Sequence, residues 1–312
     1  MNTILSIQHV KKSYRGRYVL DIDRLDIPEG AIYGLIGPNG AGKTTLMKAI
    51  LGLIERDGGD IQVFGEALTP QNQKELNRRM GSLIENPSFY DHLTGYENMD
   101  IISRMKGADP HDVMSLLAAV GLEEAAHEKA KEYSLGMKQR LGIAIALIGK
   151  PNLLVLDEPI NGLDPYGIEE MRHFFQRIVA ESDTSILISS HILDEIEKIA
   201  THIAILEEGR LTYDGTLDDY RQLHPPFITM ATSDNNKAMQ LLNRPFEETV
   251  GGELVLGNCS KKSVASIVRT LAPHVDIYRV QEEKESLETL FIRENRASKG
   301  GRDNEKSRSR QK

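Results

Sequence analysis

A glycine-rich segment between two regular elements is the first candidate for chemistry. Residues 37–45 read Gly-Pro-Asn-Gly-Ala-Gly-Lys-Thr-Thr, with the spacing G-x-x-x-x-G-K-T, between a strand pattern at residues 31–36 and an amphipathic helix pattern at residues 46–53. Glycines let the backbone wrap around a phosphate so that several N–H groups point inward, and a helix N-terminus adds partial positive charge. The pattern predicts that Lys43 reaches the outer phosphates and that the Thr44 hydroxyl ligates Mg²⁺.

Two carboxylates stand at the end of a second apolar run. Residues 153–156 are Leu-Leu-Val-Leu, which is typical of a parallel strand buried on both faces, and Asp157 and Glu158 follow directly. Ligands bind beyond the carboxyl ends of the strands in open α/β sheets. We expect Asp157 to coordinate Mg²⁺ and Glu158 to position or polarise an attacking water. The alternative is a strand that merely ends in acidic loop residues, and the neighbouring phosphate loop argues against it.

The elements that must position these groups alternate between strand and helix patterns. This alternation predicts an α/β domain, which we assign to residues 1–224. Residues 90–149 lack strand patterns and carry two helix-start signals. Thr94 and Glu97 fit a capping box, and Asp109-Pro110 fits an N-cap followed by proline at the first helical position. A helical insertion is therefore predicted within the α/β core.

The chain changes character after Pro225-Pro226, which is predicted to be a linker. Residues 225–296 carry strand and helix patterns in the order βαββαβ, which predicts a small accessory α+β domain of ferredoxin-like type. Residues 297–312 are basic and have no apolar face, so we expect a disordered tail. Contact of this tail with an anionic membrane surface is the alternative to a solvated terminus.

Net charge, cysteine content and the lengths of the apolar runs exclude several classes of protein. The formal net charge of the 312 residues is 38 − 46 = −8, which argues against a nucleic-acid partner, because phosphate backbones favour a basic surface. A single cysteine, Cys259, excludes an internal disulfide framework and a cysteine-rich metal site. No apolar run approaches the ~20 residues of a membrane-spanning helix, and the start lacks the features of a signal peptide. We expect a cytoplasmic protein.

Further motifs resemble those of ATP-binding cassette (ABC) ATPases. Residues 133–140, Tyr-Ser-Leu-Gly-Met-Lys-Gln-Arg, resemble the signature motif usually written L-S-G-G-Q. Residues 161–164, Asn-Gly-Leu-Asp, resemble the D-loop, and residues 189–191, Ser-Ser-His, resemble the strand end that carries the switch histidine. Tyr14 lies 43 − 14 = 29 positions before Lys43, where the family places an aromatic side chain that stacks on adenine.

This resemblance implies a P-loop NTPase fold with a helical subdomain, and ATP hydrolysis with Mg²⁺. It also implies a dimer, homomeric or with a close paralogue, because family members bind two ATP molecules between the phosphate loop of one cassette and the signature of another. The catalytic residues would be Lys43, Glu158 and the γ-phosphate sensor His191, and Asp164 would lie at the dimer contact. The nucleotide-binding residues implied are Tyr14, Gly37, Pro38, Asn39, Gly40, Ala41, Gly42, Lys43, Thr44, Thr45, Ser134 and Gly136.

For three of these residues, interpretations without a role in nucleotide binding or catalysis stay open. Tyr14 could be an ordinary edge-strand aromatic side chain. Asp164 could merely cap a helix that begins at Pro165. His191 could be a polar residue without a role in catalysis.

Two departures from the family pattern carry information. Leu135 and Met137 replace the usual glycine and glutamine of the signature. Glu85 stands where most cassettes have a glutamine that approaches Mg²⁺ and the attacking water, so a negative charge replaces an amide donor. We assign Glu85, with Thr44 and Asp157, to the metal site. Glu85 and the Ser-Leu-Gly-Met signature resemble the subgroup that serves bacitracin- and lantibiotic-type peptide-antibiotic transporters.

These features predict the ATPase subunit of an ABC transporter. It would energise a separate integral-membrane permease, lie on the inner face of the membrane through that permease, and serve export of, or immunity to, a peptide antibiotic. Three alternatives remain: a soluble ABC ATPase that acts on ribosomes or DNA, a transporter subunit for an unrelated substrate, and a module that uses nucleotide only as a switch.

Overall fold

The computed structural model describes residues 2–85, 87–249, 251–291 and 293. The chain divides into two compact units, Met1–Leu217 and Asp218–Lys312, and the described part of each has its own apolar core. The expected disordered tail, residues 297–312, lies outside the described residues.

The first unit alternates strands and helices. In chain order its elements are β1 (Thr3–Tyr14), β2 (Arg17–Pro28), β3 (Ile32–Ile36), α1 (Lys43–Ile50), β4 (Gly58–Val63), β5 (Glu66–Ala67), α2 (Gln73–Arg78), β6 (Met80–Leu83), α3 (Gly95–Lys106), α4 (Asp112–Ala119), α5 (Leu135–Leu147), β7 (Leu153–Asp157), α6 (Pro165–Glu181), β8 (Ser185–Ser189), α7 (Leu193–Ile199), β9 (His202–Glu207) and β10 (Arg210–Thr216).

Two sheets form the frame of this unit. One is antiparallel with the order β2-β1-β4-β5, and the other has the order β10-β9-β3-β8-β7-β6. In the second sheet β9, β3, β8, β7 and β6 run parallel, and every residue of β3, β7 and β8 is buried. Their near-continuous apolar sequences are what burial on both faces requires. One core cluster joins both sheets to α1, with Leu5, Leu46 and Val155 among its members.

Helices α3, α4 and α5 occupy the stretch between β6 and β7. Within the described residues of this stretch, strand-like pairing is limited to one isolated bridge between Thr94 and Lys129. The capping box forms: the Thr94 hydroxyl accepts from the Glu97 backbone N–H at 3.1 Å, and the Glu97 carboxylate accepts from the Thr94 N–H at 2.8 Å.

Two expected helix starts are wrong. Asp109 does not cap α4; its carboxylate accepts from the His111 N–H at 2.9 Å, two residues on, which closes a turn, and the helix begins only at Asp112. The helix after the phosphate loop begins at Lys43 and ends at Ile50, three residues earlier at each end than the pattern predicts. The reason is that the loop glycines turn the chain directly into the helix.

A close approach of backbones fixes α5 against the edge strand β6. A Cβ atom added to Gly81 would lie 2.0 Å from the carbonyl oxygen of Ala146 and 2.7 Å from the Leu154 side chain. Only glycine fits at this position, so the helical layer packs directly on the sheet that carries Asp157.

The remaining elements are α8 (Leu217–Leu223), β11 (Phe227–Thr232), α9 (Asn235–Leu241), β12 (Glu247–Glu248), β13 (Leu254–Gly257), α10 (Lys261–Leu271) and β14 (Ile277–Glu283). From β11 onward the succession is β-α-β-β-α-β, and the antiparallel sheet has the order β12-β13-β11-β14. Its core contains Ile228, Met230, Leu254 and Leu256. The ferredoxin-like assignment stays a prediction. Among the described helices of the chain, none combines the length and apolar character needed to cross a bilayer.

Candidate functional site: a phosphate loop with two carboxylates

The phosphate loop links the buried strand β3 to α1. Gly40 and Gly42 have φ angles of 81° and 111°, in the region that favours glycine. A Cβ atom on Gly42 would also lie 2.8 Å from the Val19 carbonyl oxygen. The loop therefore depends on glycine at the position before Lys43, where the helix begins.

Lys43 folds back over this loop. Its ammonium group donates to the carbonyl oxygens of Gly37 at 2.7 Å and Pro38 at 3.4 Å, and the residue is only 7% exposed. Burial lowers the pKa of Lys43, and the nearby charges of Glu158 and Asp157 oppose this shift. The cation is thus held at the loop, where bound phosphate oxygens could replace its carbonyl partners.

Asp157 ends β7 with both carboxylate oxygens occupied. Oδ2 accepts from the Thr44 hydroxyl at 2.7 Å, Oδ1 accepts from the Ser189 hydroxyl at 2.6 Å, and the residue is 4% exposed. One carboxylate and one hydroxyl meeting at a helix N-terminus suit Mg²⁺, which prefers oxygen ligands and keeps waters and substrate phosphates in its shell. The described residues contain no group of three or more potential His, Cys, Asp or Glu ligands, so a dedicated all-protein cage is not formed there.

Glu158 follows Asp157 in a left-handed conformation with φ of 53°. Its carboxylate Oε2 lies 2.6 Å from the Nδ1 of His191 and accepts from the His191 backbone N–H at 3.2 Å. Its backbone carbonyl accepts from the Gln139 side chain at 3.0 Å. The structure therefore brings together the two residues for which the sequence predicts water activation and phosphate sensing.

A cavity of about 280 Å³ lies over the loop. Its lining includes Lys43, Thr44, Asp157 and Glu158, together with further loop residues. Val19 on β2 also contributes to the lining. Sequence reasoning missed Val19, because nothing in an ordinary strand valine marks it as a neighbour of the loop.

Glu85 and Tyr14 are among the predicted site residues that do not belong to that lining. Glu85, with φ of 61°, pairs instead with Lys48 of α1, with 2.6 Å between Oε1 and Nζ. Tyr14 ends β1, is 49% exposed, and has the Lys12 ammonium 5.3 Å from its ring centroid. The metal contact of Glu85 and the adenine contact of Tyr14 stay predictions.

The signature motif builds a second concave surface. Ser134 caps α5 by accepting from the Met137 N–H at 3.2 Å, and Asp164 caps α6 by accepting from the Gly167 N–H at 2.8 Å. Both residues line a cavity of about 570 Å³, together with Gly136. Its lining shares no residue with that of the phosphate-loop cavity. Within one copy of the described chain, the signature and the phosphate loop thus belong to separate cavities.

Comparison with known proteins decides the family. The family model for ABC transporters matches residues 20–161. The bacitracin transport ATP-binding protein BcrA of Enterococcus faecalis is 38% identical over 93% of this chain and 96% of its own length. The chain belongs to the ABC transporter ATP-binding proteins.

Other relatives agree with this assignment. The lantibiotic transport ATP-binding protein SrtF of Streptococcus pyogenes is 44% identical over 72% of this chain and 96% of its own length. A solved ATP-binding subunit of an ABC transporter, 31% identical, superimposes with a TM-score of 0.64 over 71% of this chain and 93% of its own. This ABC cassette is accordingly an ATPase that uses ATP and Mg²⁺, as is characteristic of the family.

Proposed function

We propose that this chain is the ATP-hydrolysing subunit of a transporter that exports a peptide antibiotic or gives immunity to it. The observation that carries this proposal is the extent of the likeness to BcrA, which spans 93% of the chain and so runs well beyond residue 217 into the second unit. SrtF, named for lantibiotic transport, adds a second antibiotic-related relative. These relatives do not favour a ribosome- or DNA-associated ATPase.

The site geometry supports specific roles in hydrolysis. Lys43 and the loop N–H groups would hold the phosphate charge. Thr44 and Asp157 would hold Mg²⁺, whose charge neutralises phosphate oxygens. Glu158 would accept a proton from water as the bond from the water oxygen to the γ-phosphorus forms and the bond to the bridging oxygen of ADP breaks. His191, the proposed γ-phosphate sensor, lies against the same carboxylate at 2.6 Å and would also keep it oriented.

The separation of the two cavities also supports action as a dimer. The signature cavity, with Ser134 and Gly136, and the phosphate-loop cavity are separate within one chain. A second cassette, identical or a close paralogue, would bring one against the other. Motion between the two cassettes would pass to an integral-membrane permease, which would hold this subunit at the inner face of the membrane.

Antibiotic susceptibility tests the proposal. Deletion of the encoding gene in its host is expected to lower the inhibitory concentration of bacitracin or of a lantibiotic. The intact gene would restore it, and the Glu158→Gln variant would not. Unchanged susceptibility to both classes would contradict the antibiotic assignment and leave the ATPase assignment standing. Purification of the tagged chain from membranes is expected to yield a permease, whereas co-purification of RNA would favour the soluble alternative.

A further inference from the structure

Ser189 is a buried residue beside the reacting groups to which the proposed roles give no task. It is the last residue of β8, its Cα pairs with that of Asp157 on the parallel strand β7, and it has no exposed surface. A fully buried hydroxyl must find partners within the protein. Its partners are the two residues on which the chemistry depends.

The hydroxyl makes two hydrogen bonds. It donates to Oδ1 of Asp157 at 2.6 Å and accepts from the backbone N–H of Glu158 at 3.0 Å. The same N–H also lies 3.2 Å from the Ser189 carbonyl oxygen. A hydroxyl has one hydrogen to donate, and here that hydrogen goes to Asp157.

These bonds determine how Asp157 presents its second oxygen. With Oδ1 held by Ser189, Oδ2 lies 2.7 Å from the Thr44 hydroxyl at the start of α1. Without the Ser189 hydroxyl, the buried Oδ1 would lose this partner and the carboxylate could rotate about its last bond. Partners of this kind orient metal ligands, and their loss typically costs about 10–100-fold in metal affinity or activity.

The second bond bears on Glu158. This residue adopts a left-handed conformation with φ of 53°, which a non-glycine residue keeps only when its surroundings hold it. The Ser189 hydroxyl is part of those surroundings, because it accepts from the Glu158 N–H. One side chain therefore touches both the metal-binding and the water-activating carboxylate residues.

We propose that Ser189 is a positioning residue, which orients the Asp157 carboxylate for Mg²⁺ and holds the backbone turn that aims Glu158. The inference rests on the proposed magnesium site. Ser189 takes no direct part in the reaction, because its hydroxyl is hydrogen-bonded to Asp157 and Glu158.

The neighbouring serine supplies a matched control. Ser190 is also fully buried, but its hydroxyl accepts from the Ile192 N–H at 2.9 Å. Ser189→Ala and Ser190→Ala each remove one buried hydroxyl from adjacent positions. Thermal unfolding of both variants would show that each is folded before binding is compared.

The experiment measures ATP affinity by calorimetry on the full-length protein, once with EDTA and once with Mg²⁺, followed by kcat and KM. For Ser189→Ala we expect metal-free affinity within about twofold of the unmodified protein, a gain in affinity on adding Mg²⁺ that is about 10-fold smaller, and a kcat lowered about 10–100-fold. For Ser190→Ala we expect all of these quantities within about twofold.

Three outcomes would overturn the inference. Ser189→Ala could retain the full response to Mg²⁺ and an unchanged kcat. Ser190→Ala could lose both to the same degree, which would mean that the strand end as a whole is disturbed. The unmodified protein could bind ATP equally well in EDTA and in Mg²⁺, and that result would contradict the proposed magnesium site as well as its positioning by Ser189.

Discussion

Hydrogen bonds between individual side chains and backbone groups connect the residues of the site into one continuous network. Thr44 contacts Asp157, Asp157 contacts Ser189, Ser189 contacts Glu158, and Glu158 contacts His191. Both carboxylate oxygens of Asp157 and the Oε2 of Glu158 have protein partners, which orient the two carboxylates. Preorganised groups of this kind do not have to reorganise as charge develops during reaction.

Replacing one atom of Glu158 tests its role as a base. Glu158→Gln keeps the shape of the side chain but cannot take a proton from water. We expect ATP affinity within a few-fold of the unmodified protein and hydrolysis slower by about 100-fold or more, as is typical when a general base is lost. Single-turnover hydrolysis and equilibrium ATP binding would measure the two effects. The control is Glu181→Gln at the end of α6, which is expected to hydrolyse ATP at the unmodified rate. Unchanged turnover in Glu158→Gln would remove Glu158 from the mechanism.

The ion pair between Lys48 and Glu85 gives a second prediction. Its atoms are 2.6 Å apart, and the two side chains are 30% and 62% exposed. Because solvent screens such pairs, we expect Glu85→Gln or Lys48→Gln to lower the free energy of unfolding by at most about 1 kcal/mol, and less at high salt. Urea unfolding of both single variants and the double variant would measure the coupling. A loss well above this limit would show that Glu85 has partners beyond Lys48.

At the scale of elements, the sequence predicted features formed by residues that are close together in the chain. It did not predict contacts between side chains that are far apart in the chain. The phosphate loop, the apolar strand before Asp157 and the capping box at Thr94 depend on residues close together in sequence, and all three form. The contact between Ser189 and Asp157 joins residues 32 apart and depends on the register of two strands. Single-sequence patterns do not fix such a register, so this part of the site was missed.

A part-buried hydrogen bond between β3 and β10, two strands of the same sheet, shows the same limit. The Tyr33 hydroxyl on β3 donates to the carboxylate of Asp214 on β10, and Tyr33 has no exposed surface. Partial desolvation raises the pKa of Asp214, and the hydrogen bond from Tyr33 opposes that shift. In the sequence Tyr33 is simply part of an apolar strand and Asp214 part of an edge strand. Their pairing follows from the strand order β10-β9-β3, which the sequence pattern alone does not fix.

Two residues that cap helices allow the structural role of a cap to be distinguished from a role in ATP binding. Ser134 caps α5 and Thr94 caps α3, each through a backbone N–H three residues on. We expect Ser134→Ala and Thr94→Ala each to cost about 1 kcal/mol of stability, the usual value of such a cap. Only Ser134→Ala is expected to weaken ATP-driven association of two copies, because Ser134 lines the signature cavity. Calorimetric unfolding and sedimentation would measure these effects; equal loss of association in both variants would contradict the role of Ser134.

At the scale of the whole molecule, the first unit contains the two cavities that the proposed dimer would bring together. The phosphate-loop cavity and the signature cavity have separate linings, and each is open to solvent in one copy of the chain. Ser134 caps the N-terminus of α5, and a helix N-terminus favours an anion. In the proposed dimer, this anion would be the terminal phosphate of ATP held by Lys43 of another copy.

Association should therefore depend on intact triphosphate. We expect Glu158→Gln with ATP and Mg²⁺ to sediment with twice the mass of the 34.9 kDa chain, because nucleotide stays bound when cleavage is slow. With ADP the same variant is expected to sediment as a monomer, because the γ-phosphate that would bridge the two copies is missing. Adding Lys43→Ala to Glu158→Gln should abolish the dimer with ATP, since the loop loses the cation that holds the phosphates.

A heteromeric partner is indicated if the purified chain stays monomeric but dimerises with a paralogous cassette. Monomers under every one of these conditions would contradict a shared site.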